Sequence, residues 1–346
     1  MVSNLSTLPE RFADETELEE FMTVPSAALY DDLKHLDGDI MVLGVGGKMG
    51  PTLARLAKRA APSKRVIGVA RFSDPLLRQK LADWGIETLV CDLLDRNAVA
   101  ELEPVANVVF MAGRKFGSRG AEELTWAMNV LVPGIVAEHF KHSRIVAFST
   151  ACIYPYVDVN SGGARESDPP LAPSGEYANS CIGRERVFQY YSKRFDTPGR
   201  LIRLSYAIDM RYGVLHDIAV KIKRGEAVAI SNSHVNVVWQ GDANSQALRA
   251  LLHCTTPSAA LNVSGPEVAS VRALALQLGE RLGREPRFSG EPTGAAWLVN
   301  TSESARLFGY PQVPLARLVD WTADWVQREM PTLGKPTHFE NRDGQY

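Results

Sequence analysis

A short apolar run at residues 40–43 ends in a cluster of glycines, and a helical pattern then opens at Pro51. The turn between them consists of Gly44, Val45, Gly46, Gly47, Lys48, Met49 and Gly50. Three of its glycines have GxxGxxG spacing, which allows positive φ, close approach of the backbone to a pyrophosphate, and tight packing of helix on strand. The free N–H groups at the helix start face such an anion. This strand–turn–helix context predicts a dinucleotide-binding site, where a bland glycine turn would be the alternative.

Beyond this turn, apolar runs alternate with helical patterns as far as residue 149. We predict strands at 40–43, 66–70, 87–91, 107–111 and 144–149, and helices at 51–60, 75–84, 97–102 and 121–140. Strand–helix alternation builds a parallel sheet with right-handed crossovers. The predicted fold class is therefore α/β, with a doubly wound parallel sheet of the Rossmann type.

The second half of the chain has a different rhythm. A proline-rich stretch over 154–173 predicts a long loop, and the segment from 206 to 235 is less regular. The remaining predicted elements are helices at 175–195, 242–253, 270–282 and 315–329, and strands at 201–205 and 261–263. We expect a helical arm at 1–37, a dinucleotide-binding domain at 38–205, a smaller substrate-binding region at 206–330 with segments returning to the sheet, and a loosely held polar tail at 331–346. The arm, with helices at 15–22 and 31–36, would cover a sheet edge or a dimer contact.

Charge and cysteine content exclude several classes of partner. The 38 basic and 40 acidic residues give a net charge of −2, without the basic excess typical of nucleic-acid or membrane-surface binders. No apolar run approaches the roughly 20 residues that span a bilayer, and the first 20 residues are acidic, so we expect a cytoplasmic protein. The four cysteines show neither a disulfide framework nor metal-ligand spacing, so no metal site is expected.

Two hydroxyl groups complete a candidate site. Thr150 ends a predicted strand and so lies at the carboxyl edge of the sheet, where ligands of doubly wound folds bind. Tyr177 opens the next long helix, 27 positions later. A tyrosine there can relay a proton at a substrate oxygen while a hydride moves to or from a nicotinamide, and a neighbouring hydroxyl can fix that oxygen. On the pattern alone, a core tyrosine and a strand-end threonine fit equally well.

Several short motifs together resemble one superfamily. They are the glycine turn 44–50, Cys91-Asp92-Leu93, Phe110-Met111-Ala112-Gly113, Asn129-Val130, Phe148-Ser149-Thr150-Ala151-Cys152-Ile153-Tyr154 and Gly175-Glu176-Tyr177. In order and spacing they resemble the extended short-chain dehydrogenase/reductase superfamily over about residues 38–310. Its members are NAD(P)-dependent nucleotide-sugar epimerases, dehydratases and ketoreductases.

The resemblance implies specific roles. Thr150 matches the catalytic hydroxyl residue and Tyr177 the acid/base tyrosine of the YxxxK motif. Asn129 matches a helix residue that supports the active site. The implied cofactor-binding residues outside the glycine turn are Asp92 and Leu93 beside the adenine, Ala112, Gly113, Lys115 and Tyr177 itself.

One departure from the superfamily bears directly on catalysis. Four residues after the tyrosine, where the superfamily has a lysine that binds the nicotinamide ribose and lowers the tyrosine pKa, this chain has Cys181. Arg184, about two turns from Tyr177, or Lys115 could supply the missing positive charge. Otherwise the hydride step that uses the tyrosine would be weakened or absent. Pro155 also replaces the glycine after Tyr154, so the following loop would take another path.

The end of the second strand indicates which nicotinamide cofactor binds. An NAD site normally has an acidic residue there, but the strand 66–70 is followed by Arg71. The planar guanidinium suits a 2′-phosphate, so we predict NADP(H), with NAD(H) or a merely solvated arginine as the alternative.

The sequence therefore predicts an enzyme that transfers a hydride at an oxygen-bearing carbon of a sugar, a sugar acid, a nucleotide sugar or a related polyol. Two other classes stay open: an NADP(H)-binding sensor without turnover, and a lyase or isomerase without net redox. Specificity is expected to reside in loops 154–173 and 206–236. The long helices 121–140 and 175–195 resemble the pair through which superfamily members dimerise, so a homodimer is expected.

Overall fold

A seven-stranded parallel sheet forms the centre of the protein in a computed structural model, which describes residues 8–115, 120–172 and 175–342. Its strands are β1 (Ile40–Leu43), β2 (Val66–Ala70), β3 (Glu87–Val90), β4 (Asn107–Phe110), β5 (Arg144–Thr150), β6 (Gly199–Leu204) and β7 (Ala259–Val263). They are arranged in the order β3-β2-β1-β4-β5-β6-β7, with every neighbouring pair parallel. The strand order reverses at β1, and ligands of such sheets bind at this point, beyond the carboxyl ends of the strands.

Helices cover both faces of the sheet, which explains why its inner strands are continuously apolar. All four residues of β1 are buried. Ile40 and Val42 face one hydrophobic core, and Met41 and Leu43 face the other, because successive side chains of a strand point to opposite faces.

The α-helices of the described residues alternate with the strands in the first half and dominate the second half. They are α1 (Glu15–Met22), α2 (Ala27–His35), α3 (Gly50–Ala60), α4 (Pro75–Asp83), α5 (Arg96–Ala100), α6 (Glu122–Trp126), α7 (Val132–His139), α8 (Glu176–Phe195), α9 (Val214–Arg224), α10 (Gln240–Arg249), α11 (Val271–Leu282), α12 (Ser302–Phe308) and α13 (Leu315–Gln327). A π-helix spans Ala127–Leu131, and 3₁₀-helices span Ala151–Ile153 and Ala250–His253. Short strands outside the central sheet are Val157–Asp158, Ala207–Ile208, Ala227–Ala229, His234–Val235, Val238–Trp239, Ala269–Ser270, Arg287–Ser289 and Ala295–Ala296.

The predicted fold class is confirmed: the molecule is α/β with a doubly wound parallel sheet. Chain from beyond residue 205 returns to it, since β7 pairs with β6 in register from Ala259 to Val263. A separate hydrophobic core lies among α9, α11 and α13. None of the helices in the described ranges has the length and apolar composition needed to cross a bilayer.

The long helix predicted at 121–140 has a wide turn in its middle. The π-helix Ala127–Leu131 separates α6 from α7. Within it, the Asn129 side chain exchanges two hydrogen bonds of 2.9 Å with the backbone of Arg114. Such single π turns commonly occur at functional sites.

Two helices were missed by the sequence prediction. The segment before residue 235, predicted to be irregular, contains α9, whose apolar residues recur at helical spacing and which ends at Gly225 in the left-handed conformation (φ 72°). The predicted last helix is preceded by α12, which is only seven residues long. The second arm helix begins at Ala27 rather than residue 31, because the Ser26 hydroxyl caps it by accepting from the Leu29 N–H at 3.1 Å.

The prediction of a loosely held tail was wrong for the described residues. Phe339 is 1% exposed and packs in the core of α9, α11 and α13. The Asp217 carboxylate accepts hydrogen bonds from both the N–H and the hydroxyl of Thr337, at 2.8 and 2.5 Å. One buried aromatic ring and a few such bonds hold a segment whose composition is otherwise polar.

The N-terminal arm lies over helices rather than over a sheet edge. Leu29 and Leu33 of α2 belong to the core that covers one face of the sheet. Leu18 and Met22 of α1 belong to the separate core that lies among α9, α11 and α13. The arm therefore links the two cores.

Candidate active site

The glycine turn brings the ends of neighbouring strands into close contact. Gly44 has φ of 86°, and a Cβ atom there would lie 2.6 Å from the backbone nitrogen of Ala112 after β4. A Cβ atom on Gly50 would lie 2.4 Å from the carbonyl oxygen of Val45. Both positions therefore require glycine. Gly44 requires it because of its positive φ and its closeness to Ala112, and Gly50 requires it because α3 packs tightly on the turn.

Two cavities meet at this turn and form one cleft along the carboxyl edge of the sheet. The outer cavity has a volume of about 330 Å³ and the inner one about 220 Å³. Both are lined by Gly44, Gly47, Met111 and Gly113. Glycine backbone lines the part that the two cavities share, so the cleft suits a dinucleotide whose diphosphate lies against the turn.

The outer cavity has the features of an adenosine site. Arg71 is exposed at its rim, beside Asp74, whose carboxylate caps α4 by accepting from the Leu76 N–H at 2.9 Å. Asp92 and the buried Leu93 line the same cavity, and the Asp92 carboxylate accepts from the Leu94 N–H at 3.1 Å. Asp92 and Leu93 are the residues that the superfamily resemblance assigns to the adenine, and the structure places them in one cavity with Arg71.

Cations dominate the inner cavity. The basic residues that line it are Lys48, Arg114, Lys115 and Arg184. No acidic side chain is among the lining residues within the described part of the chain. This charge distribution suits a diphosphate or another anion.

Tyr177 and Thr150 are brought together at this inner cavity. The Tyr177 side chain lines it, and its hydroxyl is hydrogen-bonded to the hydroxyl of Thr150. Thr150, 7% exposed, is held in turn by the backbone N–H of Cys152, which donates to its Oγ1 at 3.2 Å. The end of β5 and the start of α8 thus form the hydroxyl pair that the sequence suggested.

The thiol of Cys181 faces the same phenol one helical turn along α8. Cys181 is fully buried, and burial raises its pKa to about 11 despite the nearby charge of Arg184 and a hydrogen bond with Tyr177. Burial likewise raises the pKa of Tyr177 well above its usual value, although Arg184 and the bond to Thr150 oppose this. Without a lysine at this position, the phenol keeps its proton at neutral pH in the free protein.

Arg184 is the cation that α8 places behind the site. It is 6% exposed and donates to the carbonyl oxygen of Phe148 at 2.8 Å and to the side-chain oxygen of Asn129 at 2.6 Å. These bonds fix the guanidinium between β5 and the π-helix. Its charge lowers the Tyr177 pKa, as the charge of a lysine at position 181 would.

Lys115 is a second cation near the phenol. Its Nζ atom lies 5.9 Å from the centroid of the Tyr177 ring. Burial lowers the Lys115 pKa below its usual value, although the side chains of Cys152, Cys181 and Asp217 act in the opposite direction. Two cations, Lys115 and Arg184, therefore lie near Tyr177.

Lys48, assigned from sequence to the cofactor turn, extends its side chain away from the turn. Its Nζ atom donates to the carbonyl oxygen of Ala207 at 3.0 Å and lies 4.0 Å from the centroid of the Tyr212 ring. Both partners belong to the segment that follows β6. The backbone of Lys48 is thus part of the glycine turn, whereas its ammonium group lies against the segment that follows β6.

A buried polar network behind Thr150 was not found by sequence reasoning. Glu185 of α8, 2% exposed, accepts from the Ser149 hydroxyl at 2.6 Å and pairs with Arg203 of β6 at 2.8 Å. Arg203 also donates to the hydroxyl of Tyr154 at 2.5 Å, which donates to Asn262 of β7 at 2.9 Å. This network joins three strands and α8 around the hydroxyl pair. The only signal in the sequence was an acidic residue in the middle of a predicted helix.

The described residues contain no cluster of three or more His, Cys, Asp or Glu side chains arranged to hold a metal ion. Cys91, Cys152, Cys181 and Cys254 are all free thiols.

The sequence of the chain matches one protein-family model. Residues 40–253, more than half of the chain, match the NAD dependent epimerase/dehydratase family. The protein therefore belongs to this family, and the resemblance to the extended short-chain dehydrogenase/reductase superfamily is confirmed. A search among curated proteins found no match.

Solved structures with the same fold include several UDP-sugar 4-epimerases. UDP-glucuronic acid 4-epimerase from Bacillus cereus, in complex with UDP-glucuronic acid and NAD, is 18% identical with a TM-score of 0.68, over 84% of this chain and 99% of that one. UDP-glucose 4-epimerase from Thermotoga maritima, with UDP-glucose, is 16% identical with a TM-score of 0.68 over the same shares. UDP-glucose 4-epimerase from Thermus thermophilus, in complex with NAD, is 19% identical with a TM-score of 0.68, over 83% of this chain and 98% of that one. At these identities the likeness establishes the fold.

Proposed function

We propose that the protein is a nicotinamide-dependent enzyme of the sugar-epimerase type, which transfers a hydride at an oxygen-bearing carbon of a carbohydrate or related polyol. The observation that carries this proposal is the hydrogen-bonded pair Thr150–Tyr177, whose phenol lines a cavity formed by the glycine turn. Membership of the epimerase/dehydratase family and the fold shared with UDP-sugar epimerases favour a sugar over other alcohols.

In the proposed mechanism, the chain supplies the proton route and the orientation of the substrate. Thr150, held by the N–H of Cys152, orients the substrate oxygen. In the oxidising direction Tyr177 first loses its own proton to solvent and then, as the tyrosinate, accepts the proton of that oxygen; in the reducing direction the phenol donates its proton to the oxygen. A bound oxidised nicotinamide supplies the hydride acceptor.

Two cations assist this proton transfer in place of the missing lysine. A tyrosinate formed at Tyr177 would be stabilised by the guanidinium of Arg184, whose charge lowers the pKa of the phenol, and by the ammonium of Lys115 above the ring. Because burial dominates and raises the Tyr177 pKa, the phenol is favoured as a proton donor at neutral pH. Reduction of a substrate carbonyl should therefore be the easier half of the reaction.

For the cofactor, we propose NADP(H), with NAD(H) as the alternative. Arg71 lies exposed at the rim of the outer cavity, where its guanidinium can reach a 2′-phosphate. The only carboxylate beside it on this loop, Asp74, already caps α4. Two of the similar epimerases named above are complexes with NAD, so the choice depends on Arg71.

The test is turnover with a panel of sugars, sugar acids and nucleotide sugars, followed by cofactor absorbance and product stereochemistry. Tyr177→Phe should lower turnover by about 100-fold or more, the range typical of a lost general acid–base. Tyr310→Phe is the matched control, because Tyr310 is 75% exposed and lines neither cavity of the cleft. Equal loss in both variants, or full activity in Tyr177→Phe, would remove the phenol from the mechanism.

A second candidate function, a non-catalytic NADP(H) sensor, is favoured by Cys181. This buried thiol has a raised pKa and brings no positive charge to the ribose site. Absence of turnover on every substrate, together with tight binding of the cofactor, would support the sensor. Because an epimerase also leaves the cofactor absorbance unchanged overall, a lyase or isomerase is distinguished with substrate deuterated at the oxygen-bearing carbon. Hydride transfer through the cofactor retains the deuterium in the product, whereas a lyase or isomerase that removes a proton loses it to solvent.

We also propose that the protein is a homodimer, assembled through α6, the π-helix and α8. This face exposes large apolar side chains, namely Leu124, Trp126, Leu131 and Tyr190. Such side chains are normally covered when they cluster on one face. Light scattering on the purified protein tests the proposal, and Leu131→Glu should shift a dimer to a monomer.

A further inference from the structure

Lys48 is the residue whose position is least explained by cofactor binding. Its backbone lies in the glycine turn, but its ammonium group crosses the cleft to Ala207 and Tyr212, at 3.0 and 4.0 Å. These residues follow β6, which lies on one side of β1 in the sheet. The outer cavity at Arg71 and Asp92 lies at the ends of β2 and β3, on the other side of β1. The side chain therefore faces the space that a substrate would occupy.

The charge of Lys48 has no carboxylate partner among the residues that the structure describes. Its one hydrogen bond goes to a neutral backbone oxygen. Asp209 is the acidic group whose charge acts on it, but that carboxylate contacts Arg211 at 3.0 Å rather than Lys48, and Arg211 also pairs with Glu15 and Glu19. A partly buried cation that no carboxylate contacts is incompletely compensated, and a bound anion would relieve this.

The surroundings of Lys48 also suit an anionic, hydroxylated ligand. Lys115 lines the same cavity, and its charge repels that of Lys48. The phenols of Tyr177 and Tyr212 lie beside these two ammonium groups, and phenol hydroxyls can exchange hydrogen bonds with sugar hydroxyls. Burial lowers the pKa of Lys48 to about 8, although the charge of Asp209 opposes this shift. A lowered pKa is expected for a lysine whose positive charge is incompletely compensated until an anion binds.

We propose that Lys48 binds an anionic group carried by the substrate, a carboxylate or a phosphate, and so restricts the substrate to acidic sugars or polyols. The proposal rests on the proposed function, because it names the substrate class for the same cleft. In this arrangement the glycine turn serves both ligands: its backbone N–H groups face the cofactor diphosphate, and its one lysine side chain faces the substrate.

The experiment measures binding of three probes by calorimetry to protein saturated with cofactor: D-glucuronate, D-glucose 6-phosphate and D-glucose. At least one of the two acids should bind about tenfold or more tightly than the neutral sugar, as expected for a charge-assisted contact. Which acid is preferred distinguishes carboxylate from phosphate. Lys48→Met should abolish the preference while leaving binding of the neutral sugar unchanged.

Lys34→Met is the matched control, because Lys34 is an exposed lysine on α2, outside the cleft. It should retain the wild-type preference. The cofactor dissociation constant, measured separately by fluorescence, shows whether Lys48 binds the anionic group of the substrate or the diphosphate of the cofactor. If Lys48→Met weakens cofactor binding tenfold and leaves the ratio of acid to neutral sugar unchanged, Lys48 serves the cofactor diphosphate and the proposal is wrong.

Equal binding of all three probes, or binding of none, by the wild-type protein would also overturn the proposal. Neither result depends on turnover, which tests the proposed function through Tyr177. A protein that turns over neutral sugars but shows no acid preference would keep the proposed function and lose this inference.

Discussion

The guanidinium of Arg184 lies directly against the backbone of Gly113, so closely that a Cβ atom at Gly113 would be 2.3 Å from its Nη2 atom. The two residues come from α8 and from the loop after β4, 71 positions apart in the sequence. This contact places the positive charge behind Tyr177 and beside the cofactor cleft. It requires a residue without a side chain at position 113.

Gly113→Ala should therefore destabilise the protein and impair the site. The new methyl group would push the guanidinium away from Phe148 and Asn129 and break two charge-assisted hydrogen bonds in the interior, which costs about 2–3 kcal/mol in the free energy of unfolding. Urea denaturation measures the loss. Gly294→Ala is the control, because a Cβ atom at Gly294 would have no other atom within 4 Å, and it should change stability by less than about 0.5 kcal/mol. Equal effects in both variants would contradict the packing argument.

Glu185→Gln should be strongly destabilising, because Glu185 pairs with Arg203 in the interior, with both side chains at most 4% exposed. Removing one charge leaves the other buried and unpaired, which costs about 3–5 kcal/mol. Glu103→Gln breaks a comparable pair with Arg65 on the surface, where Glu103 is 62% exposed, and should cost less than about 1 kcal/mol. Chemical denaturation of the two variants provides the comparison, and similar losses would argue against the role of burial.

Arg71→Ala should change cofactor choice without changing the fold. If Arg71 binds the 2′-phosphate, the variant loses about 10- to 100-fold in affinity for NADP(H), since a charge-assisted pair is removed. Its affinity for NAD(H), which has no 2′-phosphate, should stay the same. Fluorescence titration with both cofactors measures this ratio. The exposed Arg96, on α5, offers a control variant, Arg96→Ala, with an unchanged ratio.

Binding of an acidic sugar should weaken as the pH rises through about 8. The Lys48 pKa is lowered to about 8, mainly by burial, so the cation is present below this pH and is lost above it. The affinity should fall by up to tenfold per pH unit beyond that point. Calorimetric titrations from pH 6.5 to 9.5 measure the profile.

The other charged groups facing Lys48 must be separated from this effect. Burial raises the pKa of Tyr212 above its usual value, and the carboxylates of Asp209 and Glu19 hold the pKa of Arg211 above its usual value despite burial, so neither group changes its charge over this range. Lys115 also has a lowered pKa and could contribute. Lys48→Arg distinguishes the two lysines, since a guanidinium stays charged: a flat profile assigns the titration to Lys48, and an unchanged decline assigns it to Lys115.

Local patterns determined the part of the fold that could be predicted from sequence. The glycines between β1 and α3, the buried apolar run of β1 and the alternation through β5 are signals within a few residues, and they led to the correct sheet. Thr150 and Tyr177 were singled out by their places at the end of β5 and the start of α8, but these places alone left a core role equally open, and only the resemblance to the superfamily gave the pair a predicted role. The tail was misjudged since a single buried ring, Phe339, outweighed its polar composition.

What only the tertiary structure decided are contacts between residues far apart in the chain. The direction of the Lys48 side chain depends on Ala207, 159 positions away. The pairing of Glu185 with Arg203 and the fit of Arg184 against Gly113 likewise exist only once α8 has packed on the sheet. Sequence periodicity reports which face of an element is buried, because burial repeats along the element. It carries no information about which partner a charged side chain meets there, since that depends on packing between elements, and in this protein those partners set the chemistry of the cleft.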